Sequence, residues 1–107
     1  MIFRGGAIYE IKAAPDARGH EQQGRRRAVV SQSGRFSTST VTIALTSANA
    51  GPAGYRPEIE LDGKPTRVLT DQIHSVTPER LGHFNASLDA DELMDVDQAL
   101  MLKLGLF

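Results

Sequence analysis

The chain has 107 residues, with 12 Lys and Arg against 13 Asp and Glu, a net charge of −1, and neither Cys nor Trp. That length fits one domain with a single modest core, and the missing cysteines exclude disulfide frameworks and thiolate-bound metals and point to an intracellular protein. The three His are scattered without metal-ligand spacing, the N-terminus has no charged-then-apolar pattern, and no apolar run nears the ~18 residues that span a bilayer, so the reading is cytoplasmic, metal-free and not membrane-bound.

The charge is unevenly spread. Residues 1–35 hold seven Lys or Arg against three acids, whereas residues 89–107 hold one Lys against five acids. One basic face and one acidic face follow, and the basic one can bind a polyanion despite the near-neutral balance.

In chain order, residues 7–12 (AIYEIK), after Gly5-Gly6, read as a first strand. Residues 13–24 carry Pro15, Asp16 and two glycines without apolar periodicity, a long loop of the kind that is often functional. Residues 26–31 form a second strand buried at Val29 and Val30. Residues 33–39 are a polar turn around Gly34, and the alternation in 40–45 (TVTIAL) predicts a half-buried third strand. Residues 46–54 (TSANAGPAG) read as a small-residue loop on one rim of the sheet. Residues 58–61 alternate, Asp62-Gly63-Lys64-Pro65 signals a hairpin, and residues 66–70 return as a strand that 71–76 continue. Thr77 as N-cap with Pro78 at the first helical position predicts a short helical turn, and 82–87 a further short strand.

The C-terminal segment is a helix. Asp89 with Glu92 three residues on forms an acidic analogue of the capping box, Gly105 terminates the helix, and Leu93, Val96, Leu100 and Leu104 make one apolar stripe over about four turns. Met94, Met101 and Leu102 fall outside the stripe, so the helix either meets a second surface, such as a partner subunit, or has a wider core face. Short strands followed by one helix predict a mainly β fold, a small bent sheet or barrel with a helix packed on it.

The most unusual stretch is Gly19-His20-Glu21-Gln22-Gln23-Gly24-Arg25-Arg26-Arg27, leading straight into Ala28-Val29-Val30. Three consecutive guanidinium forks at the start of a buried strand are a candidate phosphate site, or else a solvated basic loop.

These residues also carry a resemblance. Arg4-Gly5 before Ile8-Tyr9, GHEQQGRRRAVV at 19–30, Leu45-Thr46-Ser47, PEIELDG at 57–63, TDQIHSV at 70–76 and the ending from Asp97-Gln98-Ala99-Leu100 to Leu106, all in order, closely resemble the MazF/PemK (Kid) toxins of toxin–antitoxin systems. The resemblance implies a single domain over residues 1–107, an SH3-like β-barrel with a C-terminal helix, forming a homodimer. It further implies cleavage of single-stranded RNA without a cofactor or metal, leaving a 2′,3′-cyclic phosphate, and silencing by a cognate antitoxin.

Such cleavage needs a group to take the 2′ proton, one to protonate the 5′ leaving oxygen, and a cation for the phosphorane. In the family pattern Arg26 matches the essential arginine, Glu21 an acidic site residue, Thr46 the hydroxyl at the end of the third strand, and Asp71 the Kid-type aspartate. Glu21 and His20 are rival bases, and Asp71 is alternatively a turn residue capping local amides. Arg25, Arg27, Gln22, Ser47 and Gln72 are expected to contact RNA. Several positions depart from the pattern: Arg27 stands where most relatives have Pro, Ser31-Gln32 interrupts what is usually a longer apolar strand, Leu69 stands where Kid-type members place a second catalytic Arg, and Tyr55-Arg56 follow a short Gly/Ala loop. A degenerate paralogue that binds antitoxin without cutting is one alternative. The other is a gyrase inhibitor of the fold-related CcdB type, although those relatives end in Trp-Gly-Ile and this chain has no Trp.

Overall fold

Alternating and continuous apolar runs become strands, and the capped C-terminal segment a helix, in the computed structural model, which describes residues 3–12 and 26–106. The elements are β1 (Ala7–Ile11), β2 (Arg26–Val30), β3 (Val41–Ser47), β4 (Glu58–Leu61), β5 (Lys64–Val76), a 3-10 turn (Pro78–Arg80), β6 (Leu81–Ser87) and α1 (Ala90–Leu104). The strands form one sheet in the order β4-β5-β3-β2-β1-β6, antiparallel throughout. The expected mainly β architecture with a C-terminal helix is present, the sheet being a half-barrel.

Both faces of the sheet are covered, which explains why β2 reads as an unbroken apolar Ala28-Val29-Val30 rather than an alternation. One face gathers Ala7, Ala28, Val30, Val41, Ile43 and Val76 around Phe3. The other packs Ile8, Val29, Ala44, Ile59, Leu61 and Val68 against Val96 of the helix. Each fully buried Ile or Val contributes about 1.5–3 kcal/mol relative to exposure. Tyr9 bridges Phe3 and Phe84 by edge-on ring contacts at 5.7 and 5.6 Å, tying β6 to β1.

Gly5-Gly6 makes the tight entry to β1. A Cβ on Gly5 would stand 2.8 Å from the Gln32 carbonyl oxygen, and Gly6 adopts φ +86, so the turn requires both glycines.

The structure corrects the expectations at three places. Residues 46–47 are the last two residues of β3 and not loop, because Thr46 and Ser47 pair with Val68 and Arg67 of β5. Thr77 precedes the 3-10 turn without a side-chain capping bond. Leu104, expected on the inner stripe, is 51% exposed, while Val96 and Ala99 are the buried helix residues. The reason is local: the last turn leans on the β3–β4 loop through Leu102 and Lys103, and 100° per residue turns Leu104 away.

The capping box is reciprocal: the Asp89 carboxylate accepts from Glu92 N at 2.8 Å, and Glu92 Oε1 accepts from Asp89 N at 3.1 Å. Glu92 Oε2 also accepts from Glu60 N at 3.1 Å, so the same side chain that caps the helix fastens it to β4. Among the described residues no helix is long and apolar enough to cross a membrane.

Candidate active site

The sheet order β5-β3-β2 brings the N-terminal end of β2, the C-terminal end of β3 and the start of β5 to one rim. There a cleft of about 280 Å³ opens, lined by Arg26 and Arg27 of β2, Thr46 and Ser47 of β3, Asn49 beyond it, and Asp62, Lys64 and Thr66 of the β4–β5 hairpin. Among the described lining residues three cationic side chains thus face one carboxylate. This is the composition of an anion site. A larger cleft of about 530 Å³ between α1 and the Gly5-Gly6 turn is lined by Val30, Leu93, Val96, Leu100 and Met101 together with Asp97, whose carboxyl burial holds above its ordinary pKa; none of its described lining residues is cationic, so it offers no charge to a phosphate.

Arg26 Nε is buried and has no hydrogen-bond partner among the described residues. A buried polar atom left unmatched costs roughly 1–3 kcal/mol, so its retention at a cleft calls for a ligand or partner there. Next to it, Thr46 Oγ1 donates to the Arg27 carbonyl at 3.1 Å, locking β2 to β3 at the rim while both hydroxyl lone pairs stay available as acceptors.

Arg27 is engaged differently. Its Nη2 meets Asp62 Oδ2 at 2.5 Å, with the arginine side chain 16% and the aspartate side chain 63% exposed. Asp62 reaches it from a two-residue hairpin turn. Asp62 and Gly63 both carry positive φ, 55 and 73, as the Asp-Gly pair in a type I′ turn requires.

Asp71 lies elsewhere. The β3–β5 register runs from Ala44 opposite Ile73 to Leu45 opposite Leu69, so Thr70, Asp71 and Gln72 form a bulge with no partner on β3. The Asp71 carboxylate accepts from Arg56 Nε at 3.0 Å and from Arg56 Nη2 at 2.8 Å. This hydrogen-bonded Arg56 guanidinium holds the Asp71 carboxyl below its ordinary value, against the opposing effect of burial, with Lys103 adding to the lowering. Gln72 is exposed, and neither it nor Asp71 lines the cleft. Leu69, at the position of the absent second arginine, is packed in the interior.

The structure therefore brings Arg26, Arg27, Thr46 and Ser47 together and sets Asp71 and Gln72 apart. His20, Glu21, Gln22 and Arg25 lie outside the described residues. Asn49, Asp62, Lys64 and Thr66 were not singled out from the sequence as site residues. The Asp-Gly turn was legible, but its arrival beside β2 depends on a strand order that no local pattern encodes. No group of three or more His, Cys, Asp or Glu suited to a metal ion occurs among the described residues.

Known proteins share this architecture. A Mycobacterium tuberculosis protein that bears the name of a toxin is 42% identical over 107 residues, covering 99% of this chain and 100% of its own. Endoribonuclease EndoA of Bacillus subtilis is 34% identical over 116 residues, covering 99% of this chain and 97% of its own. The crystal structure of MazF from Deinococcus radiodurans superimposes with a TM-score of 0.76 at 26% identity, covering 98% of each chain. A mycobacterial endoribonuclease in complex with its cognate antitoxin shares the fold, with a TM-score of 0.78 at 15% identity over 97% of this chain and 96% of that one. The model of the PemK-like, MazF-like toxins of type II toxin–antitoxin systems matches residues 4–104, and the chain belongs to that family.

Proposed function

We propose that this chain is a toxin acting as a sequence-specific, metal-independent endoribonuclease on single-stranded RNA. The observation that carries the reading is the buried Arg26 Nε, unpartnered among the described residues, at a cationic cleft beside the Thr46 hydroxyl. The family membership and the endoribonuclease name of the 34%-identical relative support it.

In the proposed reaction the ribose 2′-oxygen attacks the adjacent phosphorus and the bond from phosphorus to the 5′-oxygen breaks. The products are a 2′,3′-cyclic phosphate and a 5′-hydroxyl. The 2′ proton passes to Glu21 or His20, and the leaving 5′-oxygen takes up a proton from Arg26 or from water. Arg26 offers its guanidinium to the charge that accumulates on the phosphorane, where a fixed donor is worth most. Thr46 hydrogen-bonds the scissile phosphate or the attacking hydroxyl. Arg25, Arg27, Gln22, Ser47 and Gln72 hold the flanking backbone and bases.

The toxin operates in the cytoplasm as a single domain and a homodimer. The exposed Met94, Leu102 and Leu104 of the helix and Leu106 just beyond it give it apolar surface to pair. A cognate antitoxin segment silences it by occluding the cationic cleft.

The test is cleavage of an unstructured RNA in excess EDTA by the purified chain and by Arg26→Ala. The variant should stay folded and lose about 10²–10³-fold in kcat. Undiminished cutting by Arg26→Ala overturns the assignment, and a folded wild-type chain that binds antitoxin but leaves RNA intact would mark a degenerate paralogue.

A further inference from the structure

The β3–β4 loop, residues 48–57, forms the rim of the cleft through Ala48 and Asn49, yet its composition (ANAGPAGYRP) supplies almost no side chain to pack. A loop of small residues loses much conformational entropy on ordering and needs an anchor to hold one shape. The anchor is Arg56. Its Nη1 donates to the Gly51 carbonyl at 3.3 Å, while Nε and Nη2 take both oxygens of Asp71. The carbonyl of Arg56 in turn accepts from Arg67 Nη1 at 2.7 Å, and its N–H donates to the Ala53 carbonyl at 2.9 Å. On either side, Thr70 Oγ1 donates to the Tyr55 carbonyl and Val68 N to the Pro57 carbonyl. From the helix, Lys103 Nζ sits 4.8 Å from the Tyr55 ring centroid. Both bulge residues with polar contacts, Thr70 and Asp71, therefore spend them on this loop.

Resting on the endoribonuclease reading, we propose that the Arg56–Asp71 pair is a clamp that fixes the β3–β4 loop as the base-selecting wall of the cleft, with Asp71 a positioning residue and not the proton acceptor. The geometry argues both halves. A carboxylate whose two oxygens are held by one guanidinium is poorly placed to receive a 2′ proton. The wall that the clamp holds presents Asn49, whose amide offers two donors and an acceptor to the edge of an unstacked base.

The experiment compares wild type, Asp71→Asn, Arg56→Gln and the double variant. Arg56→Lys serves as the second arginine variant should Arg56→Gln fail to fold. Without RNA, amide exchange at Arg56 and Val68 reads the clamp directly. Faster exchange in both single variants supports it, and unchanged exchange overturns it even if the chain cuts no RNA at all. With RNA, sequencing of cleaved 5′ ends reads selectivity. Both single variants should lower the preference for the best site over the next by about tenfold, and the double variant should fall no further. The pH dependence of kcat/KM should keep its limbs in Asp71→Asn. Loss or displacement of the limb that reports the base, with cleavage sequence unaltered in Arg56→Gln, would identify Asp71 as the proton acceptor and overturn the proposal. A wild-type chain that leaves RNA intact but whose exchange responds to both substitutions would instead overturn only the endoribonuclease reading.

Discussion

Two arginines, Arg26 at the start of β2 and Arg56 in the β3–β4 loop, stand in opposite states. Arg56 has partners for Nε, Nη1 and Nη2, and its own carbonyl is held by Arg67. Arg26 sits at the rim of a cleft with a buried Nε that no described residue matches. The same side chain thus serves once as a closed structural joint and once as an open receptor. Satisfaction separates the two roles: all three nitrogens of Arg56 are engaged within the fold, whereas Arg26 keeps a buried donor that no described residue takes.

The widest difference should appear on replacing each with Lys, which keeps the charge and discards the fork. Arg26→Lys is expected to lower kcat about 10–100-fold, whereas Arg56→Lys should leave kcat within a few-fold of wild type and act on site preference instead. Equal losses of kcat in the two variants would erase the distinction. The next effect is on acid stability. Because Arg56 depresses the Asp71 pKa, the pair contributes stability that is fully present above the unfolded value of about 3.9 and is lost as pH falls through the lower folded value. Asp71→Asn should therefore be less stable than wild type at neutral pH, and the gap should close on acidification. Thermal melting from about pH 7 down to pH 2 measures it, and a gap that persists at the acid end would detach the effect from the ion pair.

The smallest effect concerns Arg27, which lies between the two extremes. Its partner Asp62 is largely exposed, and exposed pairs contribute about 0–1 kcal/mol. Asp62→Asn should cost little stability and tighten RNA binding a few-fold by removing a carboxylate that lines the cleft beside Arg27, a gain that high salt should shrink. Weaker binding would mean that Asp62 aims Arg27 at the RNA and does not compete with it.

Much of the fold was legible because its signals are local. Alternation at 58–61, the Asp62-Gly63 turn and the Asp89–Glu92 capping box each need only a few adjacent residues, and each is present. Arg26 and Thr46 were legible through the family pattern, and the sheet brings both to one cleft. The rest depended on information no short window holds. Leu104 continues a perfect helical stripe, but periodicity does not reveal where the sheet beneath the helix stops. Asp71 sits in a run that reads as continuous strand, and its separation from the cleft follows from a bulge that shifts the register by three residues. The Arg56–Asp71 pair joins a loop to that bulge across 15 positions, so neither residue announces the other.

That bulge has a consequence for how the molecule tolerates change in length. Strand register is strict because a slip of one residue turns every inward side chain outward. Thr70, Asp71 and Gln72 have no partner on β3, so they divide its pairing with β5 into two parts, Arg67 to Leu69 on one side and Ile73 to Val76 on the other, whose registers are set separately. A residue gained or lost at 71–72, beyond the buried Thr70, would be absorbed there at the expense of the Arg56 clamp, leaving Val68 and Val76 in their places on opposite faces of the sheet. The same change at Val68 would run through the strand. The segment that carries Asp71 is thus the point on β5 where the chain can vary in length while the core beneath it stays in register.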